Sequence, residues 1–113
     1  MPTVLISGPA KKQMKKLPRN IQEEIDRIIM QRISVDPECG DLLRNGVLKG
    51  LRSYHNPPHR IIFRENKDSA GVKVTIWAVG HRSSGGDIYK ELERYFTEFR
   101  INPMAEEPTP TKT

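Results

Sequence analysis

The chain has 113 residues, enough for one domain with a modest core. Its net charge is +5 and its pI about 9.6; residues 101–113 contribute −1, so the body holds +6, an excess that suits a polyanionic partner because neutralised phosphates release counterions. A single cysteine, Cys39, excludes an internal disulfide, no apolar run can span a bilayer, and the apolar part of the N-terminus is too short for a secretory signal, so a cytoplasmic location is expected.

Val4-Leu5-Ile6, ended by Gly8-Pro9, predicts a first strand. Pro9 suits the first turn of a helix, where its missing N–H costs nothing, so a helix is expected over 9–16 with Lys11, Lys12, Lys15 and Lys16 on its surface. Pro18 punctuates it. Asn20 is then placed to cap a second helix, with Glu23 three residues on as the other half of a capping box. Ile21, Ile25, Ile28, Ile29 and Ile33 follow at spacings of four, three, one and four, forming one apolar stripe. Asp36-Pro37 ends this helix, because the residue before a proline is pushed out of helical geometry. Residues 37–46 read as a connection with turn signals at Cys39-Gly40-Asp41 and Asn45-Gly46.

Three strands are expected next, over 47–54, 60–64 and 72–79, joined by the turns Asn56-Pro57-Pro58 and 66–71. In the last of them Val72, Val74, Ile76 and Ala78 alternate with Lys73, Thr75, Trp77 and Val79, which assigns the two sets to opposite faces. Such short turns imply antiparallel pairing. A final helix is expected over 88–99, with Leu92, Tyr95, Phe96 and Phe99 on one face. The fold class is therefore α+β in the order β-α-α-β-β-β-α, a helical hairpin on one face of a small, twisted, mainly antiparallel sheet with the last helix over an edge or end. The domain is expected to span 1–100. Residues 101–113, rich in Pro, Glu and Thr, read as a disordered tail.

Lys16-Leu17-Pro18, Leu48-Lys49-Gly50-Leu51-Arg52, His59-Arg60-Ile61-Ile62-Phe63, Val79-Gly80-His81-Arg82 and Tyr89 occur in an order and at separations that resemble the RelE/ParE superfamily of toxins from bacterial toxin–antitoxin pairs. The likeness spans about 4–95. It implies a RelE-like fold, an antitoxin that wraps the toxin, and one of two activities. The RelE-like branch cleaves mRNA in the ribosomal A site without a metal; the ParE-like branch poisons DNA gyrase and lacks the nuclease residues. By resemblance the nuclease positions fall on Arg52, Arg60, Arg82 and Tyr89. Two departures stand out. A strand lysine pair of one subgroup falls near Leu48 and Gly50, leaving only Lys49 close by, and the loop before Tyr89 carries Gly85 and Gly86. His55 sits where another subgroup has a histidine and stands in for the lysine pair.

Metal-free RNA cleavage must remove a proton from the 2′-OH, place positive charge on the non-bridging oxygens and protonate the leaving 5′-oxygen. Arginine forks suit the second task, which points to Arg60 and Arg82; the alternative is that they pair with Glu65, Asp87 or Glu91. Tyr89 serves as base only as a phenolate, a form neighbouring arginines promote; otherwise its ring simply packs at the start of the last helix. His55 and His81 are candidate proton carriers ahead of His59. Lys49 and Arg52 would hold RNA backbone, and Lys11, Lys12, Lys15 and Lys16 would either grip 16S-type ribosomal RNA or form a solvated helix face. Trp77 reads as core, and Gly85-Gly86 as a connector rather than a nucleotide-binding loop. The histidines and Cys39 show no metal-ligand spacing, and neither metal nor cofactor is expected. The leading expectation is a ribosome-dependent mRNA endonuclease with an antitoxin partner. Its rivals are a gyrase inhibitor and an inactive module that keeps only antitoxin pairing.

Overall fold

The computed structural model describes residues 3–44, 46–68, 71–81 and 88–103. Strand β1 (Thr3–Ile6) leads into helix α1 (Gly8–Lys15), and α2 (Arg19–Ile28) continues into a π-helical turn over Ile29–Ile33. A 3₁₀ turn (Pro37–Cys39), the short β2 (Asp41–Leu42) and a second 3₁₀ turn (Gly46–Leu48) precede β3 (Arg52–Asn56), β4 (His59–Asp68), β5 (Gly71–His81) and α3 (Ile88–Glu98). The sheet runs β1-β5-β4-β3-β2, with β1 parallel to β5 and the other pairs antiparallel.

The isoleucine stripe packs as its spacing predicts: Ile25, Ile29 and Ile33 are buried, with Ile21 and Ile28 against them. In an α-helix of 3.6 residues per turn, a step of four overshoots one turn. The wider π-helical turn, closed by Ser34 N–H on the Ile29 carbonyl at 2.9 Å, undershoots it and keeps Ile33 in line. The helix start differs from expectation. Pro18 is the cap residue, its carbonyl accepting from Ile21 and Gln22, and it makes no side-chain cap bond. Asn20 therefore lies inside the helix and the expected capping box does not form; proline already supplies the extended φ/ψ a cap needs. Likewise Val47 and Leu48, expected in a strand, form a 3₁₀ turn that buries Leu48, and β3 begins only at Arg52.

Each face of the sheet has its own apolar cluster. The α1/α2 hairpin covers Ile61, Phe63, Val74, Ile76 and Val79. Helix α3 covers Ile62, Trp77 and Ala78 together with Leu48 and Leu51. Thus α3 lies on the opposite face, not on an edge or end as expected. The strict alternation expected for β5 also fails. Ile62 pairs with Ala78 but Phe63 with Ile76, so Trp77 is an extra residue, a bulge. Beyond it the faces exchange: Ala78 joins Trp77 under α3, and Val79 joins Ile76 under the hairpin. Trp77 is buried, its ring edge-on to Phe96 at 5.0 Å.

The bulge is tied to α1. Ser7 caps that helix by accepting from Ala10 N–H at 3.2 Å and donates its hydroxyl to the Trp77 carbonyl at 3.0 Å. β1 ends opposite Ile76, and Gln13 Oε1 takes the Val79 N–H at 2.8 Å. Past α3, Ile101 packs against its cluster and the Pro103 carbonyl accepts from Arg64 at 2.9 Å, so the packed chain reaches residue 103. The rest of the expected tail, 104–113, lies outside the described residues.

Replacing Gln13 by Leu keeps the stem but strands the Val79 N–H. We expect a loss of about 1–3 kcal/mol, read as a lower urea midpoint at unchanged slope.

Candidate functional site

Cross-strand register decides which side chains meet. On β4, Ile62 faces α3, so Arg60, two residues back, faces the same way. Its partner on β3 is His55, and Ser53 pairs with Ile62, so Ser53, His55 and Arg60 share the α3 face. On β5 the partner of Arg60 is Gly80, brought to this face by the bulge. A Cβ at Gly80 would lie 2.6 Å from Ile88 Cγ2, so the bare glycine lets the first turn of α3 settle on the sheet. That turn carries Tyr89.

Tyr89 then completes the cluster. Its Oη lies 2.6 Å from Ser53 Oγ and accepts from Arg60 Nη1 at 3.4 Å. Ser53 is only 3% exposed, while Arg60 and Tyr89 are half-buried and His55 is exposed. Arg60 pairs with no carboxylate among the described residues, and Glu91 is instead engaged by Gln13 Nε2 at 3.4 Å. The arrangement joins a permanent cation, a phenol and a buried hydroxyl, with an imidazole on the strand position opposite the cation.

Not every expected residue joins them. Arg52 lies on the hairpin face, opposite Phe63, and donates to the Gly40 carbonyl at 3.0 Å. Gly40 is itself pressed on Phe63, where a Cβ would come within 3.0 Å of the ring. Arg52 thus holds the β2–β3 region together. Lys49 is exposed in the turn before β3. His59 is buried at the start of β4. His81 ends β5, with its side chain outside what the structure describes, and Arg82, Gly85, Gly86 and Asp87 lie outside the described residues.

The lysines of α1 form a separate feature. Lys11, Lys12, Lys15 and Lys16 wall a groove of about 690 Å³ whose other side is Leu92, Tyr95 and Phe99 of α3. Tyr89 faces β3 and Glu91 faces α1, so groove and cluster lie on opposite flanks of α3. Among the described residues no group of three His, Cys, Asp or Glu side chains could hold a metal. No described helix is long and apolar enough to cross a membrane. Cys39 stands apart from the cluster. Partial desolvation of its thiol, and then the Asp36 carboxylate beside it, push the thiol up from its ordinary range.

The model of a protein family described as the ParE toxin of type II toxin–antitoxin systems, parDE, matches residues 4–85. The chain belongs to this toxin family. Among solved structures, the toxin resembles the RelBE2 toxin–antitoxin complex of Mycobacterium tuberculosis, with a TM-score of 0.62, 28% identity and coverage of 73% of this chain and 100% of that one. A mutant of Escherichia coli RelE in the free state matches with a TM-score of 0.62 and 16% identity, covering 82% and 95%. Isolated Escherichia coli RelE matches at 0.58 and 16%, covering 85% and 99%. No curated protein sequence matches the chain. The α+β architecture is thus that of the RelE/ParE toxins. Ser53 and Gln13 lie outside the residues that carry the sequence resemblance, and Gly80 is one of those residues without being an expected site position. Only the period of two along β3, which aligns Ser53 with His55, hints at the first.

Two measurements test this geometry. In Gly80→Ala the new methyl should drive Ile88 and the first turn of α3 off the sheet, at a cost of about 1–3 kcal/mol; a structure of the variant should show Tyr89 beyond hydrogen-bonding distance of Arg60. Cys39 should react with a disulfide reagent more slowly than free cysteine at pH 8, the gap narrowing as rising pH forms the thiolate.

Proposed function

We propose that this toxin is a metal-independent, ribosome-dependent endoribonuclease that cleaves mRNA in the cytoplasm by 2′-OH attack. The observation that carries the reading is the half-buried Tyr89 phenol oxygen held against the half-buried Arg60 on the α3 face of the sheet. Tyr89, as phenolate, takes the 2′-OH proton; the O2′–P bond forms and the P–O5′ bond breaks. His55, as imidazolium, gives its proton to the departing 5′-oxygen. Arg60, with Arg82 as a second cation, stabilises the charge on the non-bridging oxygens. The products are a 2′,3′-cyclic phosphate (or 3′-phosphate) and a 5′-OH end. His81 is the alternative proton carrier.

Binding needs charge and no base readout. Lys11, Lys12, Lys15 and Lys16 supply a contiguous wall for 16S-type ribosomal RNA, and Lys49 is free to meet mRNA backbone near the strand that bears His55. Arg52, turned to the other face, supports the scaffold in this reading. An antitoxin is the expected protein partner, as in the toxin–antitoxin complex the chain resembles.

The family description parDE favours a second reading, inhibition of DNA gyrase without catalysis. The two separate cleanly. In cells induced for the toxin alone, the nuclease reading expects new 5′ ends inside translated frames, lost when initiation is blocked. Arg60→Ala should reduce them by roughly 10²–10³-fold. Growth arrest with inhibited supercoiling and no such ends would replace this reading with gyrase poisoning, and no arrest would leave an inactive antitoxin-binding module.

A further inference from the structure

We infer that Ser53 is a positioning residue for cleavage, acting through Tyr89. The inference rests on the nuclease reading above and assigns the hydroxyl that sets which way the phenol presents itself. Ser53 sits on β3 with strands on both sides, 3% exposed, and pairs across the ladder with Ile62. Its Cβ therefore cannot wander. From that fixed point its Oγ meets Tyr89 Oη at 2.6 Å, near the short end of the range for O–H···O bonds, across 36 residues of sequence.

Counting protons shows what such a contact can do. Arg60 only donates, so its bond at 3.4 Å uses one lone pair of the phenol oxygen. The contact with Ser53 has two forms. When Tyr89 donates to Ser53, the phenol proton points at the buried serine. When Ser53 donates, the phenol turns its own proton, or as phenolate a lone pair, outward to substrate. For the phenolate only the second form exists, and two donors then converge on one anionic oxygen. The serine hydroxyl switches between these forms by rotation alone, with no heavy atom displaced. Alanine removes the switch and keeps the longer contact to Arg60. Threonine keeps it, since a β-branched residue suits a strand.

The test is single-turnover cleavage of mRNA on purified programmed ribosomes, using the intact toxin. Ser53→Ala should lower the cleavage rate constant by roughly ten- to a hundred-fold while the half-saturating ribosome concentration stays within about twofold. Ser53→Thr should restore most of the rate. In a Tyr89→Phe background, Ser53→Ala should cost little more, because the two act as one unit. Should the alanine variant fail to fold, as judged by its thermal transition, Ser53→Cys, with its weak donor, is read by the same criteria. Undiminished cleavage in Ser53→Ala, or an equal loss in the Tyr89→Phe background, overturns the assignment while the nuclease stands. A wild-type toxin that cuts nothing on ribosomes overturns both.

Discussion

The extra residue in β5 is the constraint on which the rest of this molecule depends. A strand shows alternate faces at a period of two, and one inserted residue exchanges them for everything that follows. In β5 the insertion at Trp77 sends Val79 to the hairpin side and Gly80 to the α3 side. Gly80 then lies under Ile88, where any Cβ would collide, and only this absence lets the start of α3 come down beside Arg60. Tyr89 reaches both Arg60 and Ser53 as a result. Past the point where β1 pairing with β5 ends, at Ile76, Ser7 and Gln13 take the Trp77 carbonyl and the Val79 N–H. Gln13 goes further and bonds Glu91, so one side chain connects α1, β5 and α3.

Burial, not surface charge, holds the frame. The sheet is covered on both faces, and its central strands β4 and β5 carry apolar residues to each side: Ile61 and Phe63 against Ile62, Val74 and Ile76 against Trp77. An ion pair such as Arg19–Glu23, between two largely exposed side chains, adds little in comparison. The charges are left for other work. Four lysines gather along α1, and the Arg60 guanidinium stays half-buried beside a phenol rather than a carboxylate. Helix α3 keeps the two features apart by presenting one flank to each.

Much of this was legible in the chain itself. The isoleucine spacing places α2 and its buried face correctly, because helical periodicity is local. Arg60 at a strand start, Tyr89 at a helix start and His55 before a proline turn could each be located from neighbours in sequence. What was not legible depends on contacts between distant segments. Asn20 looks like a cap, yet Pro18 takes that place. Arg52 looks like a companion to Arg60, but a one-residue difference in register puts it on the other face. Ser53 has no spacing relation to Tyr89 and is found only when β3, β4 and α3 are assembled.

The sequence by itself determined the element order, the amphipathic hairpin, the basic body and the family resemblance, since each follows from local pattern or composition. The tertiary structure alone decided the faces. A bulge changes no residue and leaves no mark in hydropathy when both sides of a strand are apolar, as they are around Trp77. Register between strands, and the close approach that a single glycine permits, are properties of pairs of segments. For that reason the meeting of Ser53, Arg60 and Tyr89 belongs to the fold and not to any stretch of chain.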